Sequence, residues 1–178
     1  MFLLTTPPIR KRIVLLALSA LLISCSPSFN WREVRSNDEQ YTVLLPAKPA
    51  SHSRSVDLAG QKVSLQMTAA EVDDISFAVA STRIEDESQR KAALEFLQQA
   101  MVKNIRGSVN EQKSVVLKDG TQMNEIKATG TTPNGRRMAL FARFGAKEQR
   151  VYQAVAIGPQ EKLSAEIADT FLASFTPN

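Results

Sequence analysis

The chain has 178 residues, of which 43% are hydrophobic and 22% charged, with 7 Gly and 8 Pro. These fractions sit close to the globular average, which excludes a wholly disordered or collagen-like chain and suits one domain plus a processed segment. A single histidine and a single cysteine exclude most metal-binding and nucleophilic chemistry before any motif is considered.

Arg10, Lys11 and Arg12 precede the apolar run Ile13 to Ile23 (IVLLALSALLI). As a helix that run is roughly 16 Å long, whereas spanning a bilayer core takes about 20 apolar residues. A cationic start, a short apolar stretch and small residues after it describe a secretory signal peptide over residues 1–24. The tetrapeptide Leu22-Ile23-Ser24-Cys25 resembles the lipobox of bacterial lipoproteins. That pattern asks for a branched apolar residue three before the cysteine and a small residue just before it. Cys25, the only thiol in the chain, is the expected lipid-attachment site and the first residue of the mature protein. Cleavage after Ser26 instead would set Pro27 beside the scissile bond, where a residue without an N–H fits poorly. Ser26, rather than an aspartate, follows the cysteine, which in the resembled lipoproteins implies the outer membrane. Residues 25–30 then form a lipidated tether, and the protein is expected to face the periplasm.

Removal of the leader also changes the charge. The full chain carries +4, but without Arg10, Lys11 and Arg12 it holds 19 basic against 18 acidic residues, or +1. No clustered basic footprint for nucleic acid remains. With Cys25 acylated, stability must come from an ordinary core rather than a disulfide.

From Trp31 onward the pattern is that of one domain over residues 31–178. Tyr41–Leu45 (YTVLL) reads as a strand. Gly60 divides Ser51–Leu58 from Gln61–Val72, in which Val63, Leu65, Met67 and Ala69 alternate with polar residues. Asp73-Asp74 then separates Ile75–Ile84, a further strand. Glu85, Asp86 and Glu87 favour a helix start, with Asp86 and Gln89 at capping-box spacing. Leu94, Leu97, Met101 and Ile105 give that helix one apolar face, expected in the core, up to Arg106, and Gly107 supplies a stop. Asp119-Gly120 and Asn134-Gly135 are hairpin turns between Ser114–Lys118, Gln122–Thr131 and Arg136–Phe144. Gly145-Ala146 leads to Arg150–Ile157, and Pro159 opens a last helix in which Leu163, Ile167 and Phe171 recur. The expected fold class is α+β, an antiparallel sheet of about six to eight strands with two main helices packed on it.

Trp31, the stretch Tyr41 to Pro46, and Pro49 match bacterial domains that open on "W…(F/Y)xVxxPxxP". Arg150-Val151-Tyr152-Gln153, Gly158-Pro159 and Phe171 to Phe175 match how those domains close. Over about residues 31 to 177 the chain is similar to the PsbP-like fold, shared by the extrinsic PsbP subunit of the photosystem and the Ran-binding Mog proteins. The resemblance implies the fold and carries over no binding residue.

Chemistry is sparse. His52, in Ser51-His52-Ser53, lacks a nucleophile elbow and reads as an exposed or edge-strand residue. Glu71, Asp73 and Asp74, like Glu85 to Glu87, fit a turn and a helix start better than a calcium loop. No phosphate-cradling loop occurs, so no catalytic residue, metal or cofactor is expected. Arg136, Arg137, Arg143, Lys147 and Arg150 form either a basic rim for an acidic polysaccharide or protein, or simply soluble edge and turn surface. Phe29 and Trp31 lie close to the lipid site, with Trp31 expected in the core. The reading is a non-enzymatic, membrane-anchored binding or accessory module, its partner an envelope protein or polysaccharide. The alternatives are an envelope enzyme acting through carboxylates, carbohydrate-directed, and a small-ligand carrier.

Overall fold

The computed structural model describes residues 29–178; the expected signal peptide, Cys25 and most of the expected tether lie outside the described residues. The chain runs β1(Arg32–Ser36), β2(Tyr41–Leu45), β3(Ala50–Leu58), β4(Gln61–Val72), β5(Ile75–Arg83), α1(Glu87–Asn104), β6(Ser108–Val116), β7(Gln122–Thr131), β8(Arg137–Lys147), β9(Arg150–Pro159), α2(Ala165–Ser174), β10(Thr176–Pro177). The expected α+β class holds, with two helices on an antiparallel sheet. Seven strands form the large sheet in the order β3-β4-β5-β9-β8-β7-β6, and β1, β2 and β10 form a separate three-stranded sheet.

The topology follows from the turns. Two hairpins make the meander β3-β4-β5, α1 crosses one face to the far edge, and β6-β7-β8-β9 returns until β9 pairs with β5. Four inter-strand steps cover about 19 Å and an 18-residue helix about 27 Å, so α1 runs diagonally across them. Asp73 and Asp74 both take positive φ (54° and 65°), the tight-turn conformation that aspartate tolerates better than most residues.

The sheet buries both faces, and period two sorts its side chains between two cores. On one face Leu140, Ala142 and Phe144 of β8 join Ala93, Leu97 and Ile105 of the α1 segment. On the other, Phe77, Tyr152 and Ala154 join Phe171 and Leu172 of α2 and Tyr41 and Val43 of β2. Trp31 packs edge-on against Phe77 at 5.6 Å and stacks with Phe29 at 5.7 Å, while Phe77 meets Phe171 at 5.4 Å. Trp31 is therefore core-packed, as expected.

Four local expectations are corrected. The α1 stop is a Schellman motif in which Gly107 N–H donates to Val102 O and Arg106 N–H to Lys103 O, and the left-handed residue is Arg106, at φ 48°. Gly107 is needed for close approach instead, since a Cβ there would lie 2.3 Å from Thr129 O. The β8–β9 turn falls at Glu148-Gln149 rather than at Gly145-Ala146. Gly145 lies inside β8, where a Cβ would come within 2.8 Å of Met123 Cγ. Pro159 ends β9, its carbonyl accepting from the N–H groups of Lys162 and Leu163, and α2 starts later, capped by Ser164. Finally, β6 begins at Ser108, six residues before the expected start at Ser114.

Candidate functional site

An open groove of about 710 Å³ lies between β3 and the C-terminal half of α1. Arg54 lines the strand side, and Phe96, Gln99, Met101, Lys103 and Asn104 line the helix side. Phe96 stands off the Leu94/Leu97/Met101 stripe and is 43% exposed. Leu97 is buried, and Leu94 and Met101 are half-buried against the α1-side core. The stripe thus packs as expected, but Phe96, Arg54 and Lys103 were not singled out from sequence. A large aromatic off the apolar face, and one arginine amid serines in Ser51–Ser55, were the signals available.

Most of the cations weighed as a basic rim or as soluble surface engage carboxylates. Arg143 Nε donates to Glu125 Oε2 at 2.7 Å, and its NH1 donates to Leu172 O at 2.6 Å, at the C-terminal end of α2. Lys113 Nζ lies 3.0 Å from Glu125 Oε1. Lys113, Glu125 and Arg143 sit directly opposite one another on β6, β7 and β8, so register alone assembles the triad. Burial works to raise the Glu125 pKa, but the hydrogen bonds from Arg143 and Lys113 outweigh it and hold the carboxyl below its ordinary value.

Arg150 pairs with Glu39 at 2.5 Å and donates to Asp38 O, while Ser81 donates to the same Glu39 oxygen. That cluster fastens the β1–β2 turn to the large sheet. Lys147 bridges Asp119 at 2.9 Å and Pro177 O at 3.1 Å. Arg136 and Lys162 both bind Asp74, at 3.0 and 2.9 Å. Arg137 is exposed at the start of β8.

The other singled-out residues have structural places. His52 is exposed on β3, opposite Met67. Asp86 caps α1 by accepting from the Gln89 N–H at 2.9 Å. Glu71 ends β4 on an exposed position. Among the described residues, no group of three or more His, Cys, Asp or Glu side chains is arranged to hold a metal ion. No helix among them is long and apolar enough to cross a membrane.

No family model matches the chain, and no curated protein matches it. Solved structures do. The solution structure of cyanobacterial PsbP (CyanoP) from Synechocystis sp. PCC 6803 superposes at a TM-score of 0.56, covering 88% of this chain and 99% of that one at 11% identity. The fold is PsbP-like. A Bacteroides thetaiotaomicron structure superposes at 0.47 and 10% identity, over 83% of this chain and 48% of that one. A Pseudomonas aeruginosa protein of unknown function gives 0.39 at 9% identity, over 75% of this chain and 85% of that one. At 11% identity the CyanoP likeness speaks for fold alone, because unrelated functions share folds.

Proposed function

We propose that the protein is a bacterial lipoprotein, acylated at Cys25 and anchored in the outer membrane. Its PsbP-like domain serves as a periplasmic binding or accessory module rather than an enzyme. The observation that carries this reading is the tetrapeptide Leu22-Ile23-Ser24-Cys25 behind a cationic start and a short apolar run; the placement of the domain's N-terminal end then says how an anchor there would orient the groove. Phe29 packs on the α2 side of the large sheet, against Trp31 and Phe77, whereas the groove opens on the α1 side. Three residues separate Cys25 from Phe29, a reach of about 14 Å at most over the connecting peptide units. An anchor so short holds the α2 side near the bilayer and turns the groove away from it. The use of the half-buried carboxylates also favours binding over hydrolysis. Glu39, Glu125 and Asp119 each engage a cation and join separate elements.

The test is Cys25→Ala in intact cells fed labelled fatty acid. The wild-type chain should carry label and band with the outer membrane on a density gradient. The variant should lose both label and membrane association. Unchanged membrane retention of Cys25→Ala would defeat the lipoprotein reading.

A further inference from the structure

The two edges of the large sheet are built differently. β6 carries a register shift between Val109 and Glu111, a device that discourages pairing with another strand. Both edges carry charged side chains, but β3 has neither a bulge nor a proline. It keeps unbroken register with β4 from Ala50↔Ala69 to Leu58↔Gln61. Among the described residues it pairs with β4 alone, so its outward N–H and C=O groups face no other described strand. The groove lies beside this regular edge. Period two puts Arg54 on the face of β3 shared by Val56 and Leu58, which pack into the α1-side core.

We propose that β3 is a docking edge for an extended, acidic segment of a partner protein, which adds to the sheet as an eighth strand. The proposal rests on the binding-module reading above and assigns that module its site and partner class. Main-chain pairing along β3 supplies affinity, and alternate side chains of the added strand fall over Arg54, Phe96 and Lys103 and supply selectivity. The partner's sign follows from the lining: Arg54 and Lys103 are its charged members and no carboxylate lines the groove. Arg106 borders the adjoining hollow beside exposed Val109, again without a carboxylate. A second copy of this chain is the less suitable occupant. Antiparallel self-pairing centred on β3 sets two Arg54 side chains against each other, and like charges opposite one another are destabilising.

The test uses the full chain, isotope-labelled, in detergent micelles, with three peptide probes of about nine residues. One repeats Glu-Val, one repeats Lys-Val, and one is the Glu-Val peptide N-methylated at every amide, so that neither of its edges can donate. The Glu-Val peptide should slow exchange of the alternate Ser51–Asp57 amides that point away from β4 about tenfold, shift the Phe96 and Lys103 signals and leave β6 unchanged. Arg54→Glu, on an exposed residue, should keep a dispersed spectrum, weaken that peptide about tenfold and transfer preference to Lys-Val. N-methylation should abolish binding. Absence of β3 protection with every probe overturns the proposal, as does equal binding of the N-methylated peptide. Protection of β3 without peptide in a chain that sediments as a dimer overturns it in favour of a second copy. A Cys25→Ala chain that stays in the membrane overturns the anchor and leaves the β3 result standing.

Discussion

Arg143 joins two parts of the molecule that the chain makes far apart. Its guanidinium binds Glu125 on the neighbouring strand and also the Leu172 carbonyl, a last-turn α2 oxygen whose backbone donor is the C-cap Phe175 N–H at a long 3.3 Å. A cation there also complements the negative end of the helix dipole. The Arg143 side chain is 14% exposed and that of Glu125 5%, so removing Arg143 leaves one buried Glu125 oxygen without its partner while Lys113 still holds the other. Arg143→Ala should therefore cost about 2 kcal/mol in denaturant unfolding. Arg143→Lys should recover only part of that, because one ammonium cannot reproduce the forked geometry. Combining Arg143→Ala with Glu125→Gln should cost less than the sum of the single changes. Additive losses would mean the two groups act independently.

At the scale of elements, legibility depended on whether a segment has one wet face and one dry face. The β4 alternation was readable because that strand buries Val63 and Leu65 while Lys62 and Ser64 stay exposed. β6 is exposed along nearly its whole length on both faces, so Ser108–Lys113 carries no period to detect. α1 was bounded well by the Asp86 cap and by Gly107, yet Gly107 is there for contact with β7, and the strained residue is the arginine before it. Gly145 misled for the same reason: glycine marks close approach as readily as a turn. The pairing of Arg143, Lys147 and Arg150 was invisible because each partner lies on another strand or turn. Lys147 shows what such a pair does, tying the β6–β7 turn and β10 to the end of β8. Burial acts to raise the Asp119 pKa, but hydrogen bonds from Thr121 and Lys147 prevail and bring it down from 3.8 to about 2. A depressed carboxylate stabilises the fold fully above its ordinary pKa and loses that contribution as pH falls towards the folded value. The melting temperature of the wild-type chain should thus drop between pH 4 and about 2. Asp119→Asn should start lower at neutral pH and fall less steeply across that window. Parallel pH profiles for the two chains would remove Asp119 from the account.

For the whole molecule, the unexpected feature is the division into two sheets, and its consequence is cooperative. β1, β2 and β10 pair only with each other, so nothing in their backbone ladders binds them to the large sheet. Side chains do that instead. Tyr41 and Tyr152 flank Phe175 at 5.9 and 5.6 Å, Tyr152 donates to Gln40 O at 3.0 Å, and Arg150 holds Glu39. All three ring systems belong to one continuous core, so opening the small sheet exposes α2 and the large-sheet face together. Trp31 is the chain's one tryptophan and sits where the N-terminal segment meets Phe77, which makes its fluorescence a reporter of that junction. Its unfolding transition in urea should superimpose on the far-ultraviolet ellipticity that reports the large sheet, as expected for one cooperative unit. Phe29→Ala removes two of the aromatic contacts around Trp31 and Phe77. It should lower the midpoint of both transitions equally, by about 1–2 kcal/mol. A tryptophan transition that precedes the ellipticity change, or moves alone in Phe29→Ala, would mean that the small sheet opens as a separate unit. The proposed anchor would then be joined to the groove-bearing layer by a hinge.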